Sequence, residues 1–165
     1  MDNREEIVRH FGNKLRVRVN GVLIEHDKLL MVKHQSLGSA GFLWNVPGGG
    51  MEFGQSAEEA LQREFEEETG LRIEVCDFLF VHELLMQPLH AMELFFRVKR
   101  ISGSVTRGTD PEMDERQIID EVAFLSWFKI AALSASNKHN VFNKCNNLDD
   151  LLHMNGYLIQ SETIK

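Results

Sequence analysis

The sequence predicts an α/β fold of the α+β kind, with a mixed β-sheet sandwiched between helices. Two observations point there. Short runs rich in Val, Ile, Leu and Phe lie on both sides of one sharply bounded central helix. Their order is irregular, without the repeated strand–helix alternation of a doubly wound sheet. The 165 residues, 43% of them hydrophobic, suit one globular domain over 1–165.

Residues 1–12 are polar and form a short helix or a loose arm. Arg16-Val17-Arg18-Val19 alternates and Val22-Leu23-Ile24 follows, so 15–25 reads as a strand. His26-Asp27-Lys28 turns into a second strand, Leu29–Lys33, and 35–41 is a loop carrying Gly38 and Gly41. Trp44-Asn45-Val46 is a short strand stopped by Pro47, with Gly48-Gly49-Gly50 as a tight loop. A helix begins at Ser56, whose capping box is completed by Glu59, and ends at Gly70, where a left-handed cap belongs. Strands are expected over 71–85 and 91–101, a loop over 103–114, and a strand over Glu121–Trp127. Phe128–Leu133 and Leu148–Met154 are expected as short helices.

Eighteen basic residues against 25 acidic ones give a net charge of −7. That balance opposes broad contact with a nucleic-acid polymer, which needs a basic face. No apolar run has the length of a membrane span and no secretory leader opens the chain, so a cytoplasmic location is expected. Cys76 and Cys145 match neither a zinc spacing nor a disulfide framework and read as reduced thiols.

The informative segment is GGMEFGQSAEEALQREFEEETGL, Gly49–Leu71. Within it, 58–68 holds six glutamates and one arginine, the densest acidic cluster in the chain. On a wheel at about 100° per residue, Ala57, Ala60, Leu61 and Phe65 share an arc of about 140°. Glu58, Glu59, Gln62, Arg63 and Glu66 lie on the outward side. Glu64, Glu67 and Glu68 fall on the apolar side, at i, i+3 and i+4, where they repel one another. Turning such a trio toward the protein body costs several kcal/mol per unpaired ion unless a cation sits there. Mg²⁺ or Mn²⁺ suits carboxylates that have no His or Cys beside them.

The segment resembles the Nudix box, G-x5-E-x7-R-E-U-x-E-E-x-G-U with U a bulky aliphatic residue. Gly49 opens it, and Arg63-Glu64-Phe65-Glu66-Glu67-Glu68-Thr69-Gly70-Leu71 closes it at the family spacing. Phe65 stands at an aliphatic position, and Gln55 stands where the family has glutamate. In the family that glutamate partners the box arginine, here Arg63. Gln55 still accepts from a guanidinium but without the charge assistance.

The resemblance implies a hydrolase of the MutT-like pyrophosphohydrolase type. Its substrate would be a nucleoside diphosphate linked to another moiety X, or a nucleoside triphosphate. Glu64, Glu67, Glu68 and the carbonyl of Gly48 would ligate Mg²⁺, with Mn²⁺ as a substitute. Arg63, Glu67 and Glu68 are carried over as catalytic. Water would attack one phosphorus with help from a carboxylate, either Glu67 in the box or Glu115 or Glu121 outside it. A nucleotide-sensing domain without turnover is the alternative, and Gln55 is its support.

Arg16 and Arg18 share one strand face and are candidates for substrate phosphate, as is Lys33, with solvated alternation explaining all three equally well. Trp44, with Phe42 beside it, is a candidate for stacking on a base, though core packing or partial exposure is the commoner fate of such aromatics. His82, Glu83 and His90 read as exposed strand residues. The expected partner is a small nucleotide-type diphosphate, with neither a nucleic-acid polymer nor a membrane. A homodimer is compatible with the sequence.

Overall fold

A computed structural model describes residues 3–35, 40–109 and 118–161. In chain order the elements are α1 (Asn3–Phe11), β1 (Leu15–Val22), β2 (Ile24–Glu25), β3 (Lys28–Gln35), β4 (Phe42–Asn45) and β5 (Gly48–Gly50). They continue with α2 (Ala57–Thr69), β6 (Arg72–Met86), β7 (Leu89–Ser102), β8 (Ile119–Ser126) and α3 (Trp127–Ala132). Two 3₁₀ turns, Ala135–Asn137 and Asn140–Lys144, then lead to α4 (Leu148–His153) and β9 (Gly156–Ser161).

The strands form two sheets. One has the order β5-β1-β7-β6-β9 and is mixed, with β1–β7 and β6–β9 parallel and β1–β5 and β6–β7 antiparallel. In the other, β3 pairs antiparallel with β2, β4 and β8. Both faces are covered. One core lies under α2, where Ala60, Leu61 and Phe65 meet Val19, Leu30, Ile73 and Val98. The second lies under the C-terminal segment, where Ile130, Val141, Phe142 and Leu151 meet Val22, Leu29, Met31, Phe80 and Phe95. Strand β3 shows why its sequence is a continuous apolar run. Leu29 and Met31 serve one core and Leu30 the other, so neither face of the strand meets water.

Helix α2 begins and ends as its sequence predicts. The Ser56 side chain accepts from the Glu59 N–H, the Glu59 carboxylate accepts from the Ser56 N–H, and Gly70 takes a left-handed φ of 73°. Its last carbonyls are satisfied by the loop after β7. Thr106, Gly108 and Thr109 donate backbone N–H groups to Thr69, Glu68 and Glu67.

Two expectations need correction, and one strand is new. The strand expected over 15–25 is broken after Val22, because the Leu23 carbonyl accepts from Leu30 N–H as the chain turns toward the second sheet. Gly48–Gly50 is a strand and not a loop, paired to β1 with Arg18 opposite Gly50 and Asn20 opposite Gly48. A run of glycines carries no β signal, so only the partner strand reveals it. Strand β9 is an addition: it pairs in parallel with β6, more than seventy residues earlier. The 35–41 and 103–114 loops lie only partly within the described residues.

Candidate functional site

The acidic helix reaches the site through β5. This strand is an edge of its sheet and has no side chains. A Cβ on Gly49 would lie 2.3 Å from Glu64 Cδ and 2.4 and 2.5 Å from its two oxygens. The glycine therefore lets a helix carboxylate press against the sheet backbone, a distance no side chain permits. The next turn is anchored the same way, with the Gly48 N–H donating to Glu68 Oε2 at 2.9 Å. Glu64 is 3% exposed and Glu68 2%, so the inward orientation read from the wheel holds for both.

Glu67 is a partial correction. At about 280° on the wheel it stands on the edge of the apolar arc, and it is half-buried. Arg63 is a fuller one, because it does not point into solvent. Its guanidinium donates to Glu64 Oε1 at 2.9 Å, Glu67 Oε2 at 3.0 Å, the Gly50 carbonyl at 3.1 Å and Gln55 Oε1 at 3.4 Å. Burial disfavours its charge, but Glu64, Glu67 and Glu52 outweigh this and raise its pKa. Gln55 Oε1 also accepts from the Glu52 N–H at 3.3 Å, so the loop keeps its arginine clamp without the family glutamate.

Glu64, Glu68, Gly48 and Gly49 line one wall of a cavity of about 330 Å³. Arg16 and Arg18 line another wall, side by side on β1 as expected. The Arg16 guanidinium lies over the Phe11 ring of α1, 3.8 Å from its centroid. The remaining substrate candidates fall elsewhere. Trp44 is 6% exposed and belongs to the core under the C-terminal segment, because its place on β4 turns it inward. Phe42 is half-buried against the same core, with Lys33 Nζ 5.0 Å from its ring centroid. Lys33 pairs with Asp120 at 2.8 Å. Glu121 is exposed on β8, opposite Lys33 and outside the cavity lining. Glu115 lies outside the described residues.

The structure adds a cluster that sequence reading missed. His82, expected to be exposed, is fully buried, and its Nδ1 lies 2.8 Å from Glu93 Oε2. His139 Nε2 lies 2.7 Å from the same oxygen, and Arg18 Nε is 3.8 Å from Glu93 Oε1. Burial opposes a charge on Glu93, but His139, His82 and Arg18 hold the carboxyl well below the usual carboxylate range. A signal existed in the sequence. Ala91, Glu93 and Phe95 share one face of β7, and all three are buried, so a charge stands in an inward row. His90 and Glu83 are partly covered and pair with each other at 2.7 Å.

Among the described residues, the ligand-type side chains whose donor atoms converge within 4.8 Å are His82, Glu93 and His139. Their arrangement is a hydrogen-bonded network. The Val141 N–H donates to His139 Nδ1, so in the neutral ring the proton sits on Nε2 and points at Glu93. The box carboxylates are not gathered so tightly, and Arg63 lies between Glu64 and Glu67. Three carboxylates against one guanidinium still leave a formal excess of two negative charges beside the cavity.

A buried acidic helix edge, an arginine clamp and an adjoining cavity with basic residues define a class of domain suited to phosphorylated ligands. The chain belongs to the Nudix family: the NUDIX domain model matches residues 14–145. It is 32% identical over 101 residues to an ADP-ribose pyrophosphatase of Methanocaldococcus jannaschii, covering 60% of this chain and 59% of that protein. It is 29% identical over 93 residues to an 8-oxo-dGTP diphosphatase of Proteus vulgaris, covering 56% of this chain and 83% of that one. A solved NUDIX hydrolase from Nitrosomonas europaea superposes with a TM-score of 0.65 at 25% identity, covering 80% of this chain and 86% of that one. The chain thus spans well under two-thirds of the length of the archaeal relative. No helix among the described residues is long and apolar enough to cross a membrane.

Proposed function

We propose that this chain hydrolyses a phosphoanhydride bond in a nucleoside diphosphate linked to X or in a nucleoside triphosphate, with Mg²⁺ or Mn²⁺. The observation that carries the reading is the burial of Glu64 and Glu68 against a side-chain-free strand at the cavity wall. Buried like charges are costly, and a cation that accepts oxygen ligands relieves that cost. The residues present fit such an ion, because the donors are all hard oxygens and Gly49, lacking a Cβ, lets the Glu64 carboxylate lie against the strand. Glu64, Glu67, Glu68 and the Gly48 carbonyl would hold it. When bound, it supplies charge neutralisation for the diphosphate oxygens and the departing phosphate.

The chain's own residues do the rest. Gly48 N–H fixes Glu68, and Arg63 sets the spacing of Glu64 and Glu67 while tying the box loop through Gly50. Glu67 is the most exposed of the three carboxylates, at 29%, which suits a group that takes a proton from attacking water. Arg16, Arg18 and Lys138 set positive charge in the cavity against Glu64, Glu68 and Glu93. The sensing alternative rested on Gln55, and the Gln55–Arg63 contact favours the catalytic reading.

A nucleotide panel with Mg²⁺ and with Mn²⁺, with products identified, tests the proposal. The expected result is cation-dependent release of a nucleoside monophosphate from at least one substrate. Tight binding across the panel without any product would overturn it in favour of a sensor.

A further inference from the structure

Glu67 and Glu68 stand at the end of α2, where a helix is least suited to hold them. The last four carbonyls of a helix have no partner inside it, and the negative pole they form disfavours carboxylates. Helix α2 places Glu66, Glu67 and Glu68 in that turn, with no basic residue among them. Left to itself the turn would fray, and two of the three carboxylates assigned to the ion would move with it. Glu64 stands one turn earlier and is held separately, against the backbone of β5 and by Arg63.

The loop after β7 supplies what the turn lacks. Gly70 N–H donates to the Glu66 carbonyl at 3.1 Å, and the loop meets the other three. Thr109 donates to Glu67 at 3.0 Å, Gly108 to Glu68 at 2.9 Å and Thr106 to Thr69 at 2.9 Å. All these donors are backbone N–H groups, which set partial positive charge against the negative pole. The approach is close because Gly108 has no side chain. A Cβ there would lie 1.7 Å from the Glu67 carbonyl oxygen and 2.7 Å from the carbonyl carbons of Glu67 and Glu68, all of them backbone atoms. No rotamer change relieves such a clash, so any other residue lifts the loop from the helix end. Glu68 is thereby held at two points, its carboxylate by Gly48 N–H and its carbonyl by Gly108 N–H.

We propose that Gly108 is a positioning residue of the cation site: its N–H and that of Thr109 hold the last turn of α2, and with it Glu67 and Glu68, where the ion binds. The inference rests on the metal reading above and adds to it a loop outside the box that sets affinity for a divalent cation.

The experiment is calorimetric titration of the substrate-free protein with Mn²⁺, with folding checked by circular dichroism. Gly108→Ala weakens Mn²⁺ binding about tenfold or more, as expected when a group that orients metal ligands is lost. Thr109→Pro removes the donor to Glu67 without adding bulk at 108, and weakens binding in the same direction. Gly21→Ala strains α2 from its buried side, with its Cβ 2.3 Å from the Phe65 ring, and keeps wild-type affinity. Double variants separate positioning from general loosening. Gly108→Ala adds its full loss to that of Glu64→Gln and clearly less than its full loss to that of Glu68→Gln. A measurement on wild type decides even where a variant does not fold. By linkage, a cation that binds better with the loop attached also holds the loop, so Mg²⁺ slows amide hydrogen exchange at Gly108 and Thr109. Equal Mn²⁺ affinity in wild type and folded Gly108→Ala overturns the proposal. Equal losses in Gly108→Ala and Gly21→Ala, full additivity with Glu68→Gln, or exchange at Gly108 indifferent to Mg²⁺ overturn it as well. Wild type that binds no Mn²⁺ removes the metal reading itself, and this inference with it.

Discussion

Substituting Gly49 by alanine isolates the contact between α2 and β5. The added Cβ would lie 2.3 Å from Glu64 Cδ, against an ordinary carbon contact of about 3.5 Å or more. Either Glu64 or the strand must therefore retreat by more than about 1 Å. Overpacking of this kind costs about 1–3 kcal/mol, and at about 2–4 °C per kcal/mol for a chain of this size the melting temperature falls roughly 2–12 °C. The larger effect is on function, since a 1 Å misplacement in a reacting constellation costs about a hundredfold in rate. The assay is kcat as a function of Mg²⁺ concentration at a temperature where the variant is folded. Gly21→Ala is the matched control. Its Cβ would lie 2.3 Å from the Phe65 ring and strains the core under α2 without touching a carboxylate. It should lose comparable stability and keep wild-type turnover. A folded Gly49→Ala enzyme with wild-type kcat, or equal catalytic losses in both variants, would refute the reasoning.

Two further expectations follow from single side chains. Gln55→Glu restores a charge-assisted bond to Arg63 and should stabilise by about 1 kcal/mol, read as a melting temperature higher by about 2–4 °C. A lower melting temperature would show that the clamp is already optimal with glutamine. Burial, with Arg18 beside it, lowers the His34 pKa from the ordinary 6.5 to about 4, so the folded state binds fewer protons between those values. Its contribution is fully present above pH 6.5 and is lost as pH falls toward 4, about 3 kcal/mol in all. Denaturant titrations from pH 7 to 4 should show that slope in wild type and a flatter one in His34→Gln. Equal slopes would contradict it.

The helix that carries the box was legible because its signals are local. Ser56, Glu59 and Gly70 act within a turn of the residues they cap, and the orientation of Glu64 and Glu68 follows from spacing alone. What escaped depends on partners far away in sequence. Gly48–Gly50 becomes a strand only because β1 lies beside it, and β9 forms only on the edge of β6. The cavity was equally hidden, since Arg18, His34, Glu93 and His139 come from four separate segments. For Trp44 the sequence left stacking and core packing both open, because a short strand next to a glycine run does not reveal which face is covered, and the structure places it in the core. Arg63 was misjudged because its wheel angle points outward, while its length lets it fold back over Gly50.

The central claim is that the buried carboxylates of α2 serve phosphoanhydride hydrolysis, and Glu68→Gln tests it most directly. The substitution keeps shape and an acceptor for Gly48 N–H while removing one negative charge. The measurement is kcat with saturating Mg²⁺ on the best substrate of the panel, with folding verified by melting temperature. The account predicts a loss of about a hundredfold or more, as expected when a metal or base group is removed. Unchanged Mg²⁺-dependent turnover in the folded variant would contradict it.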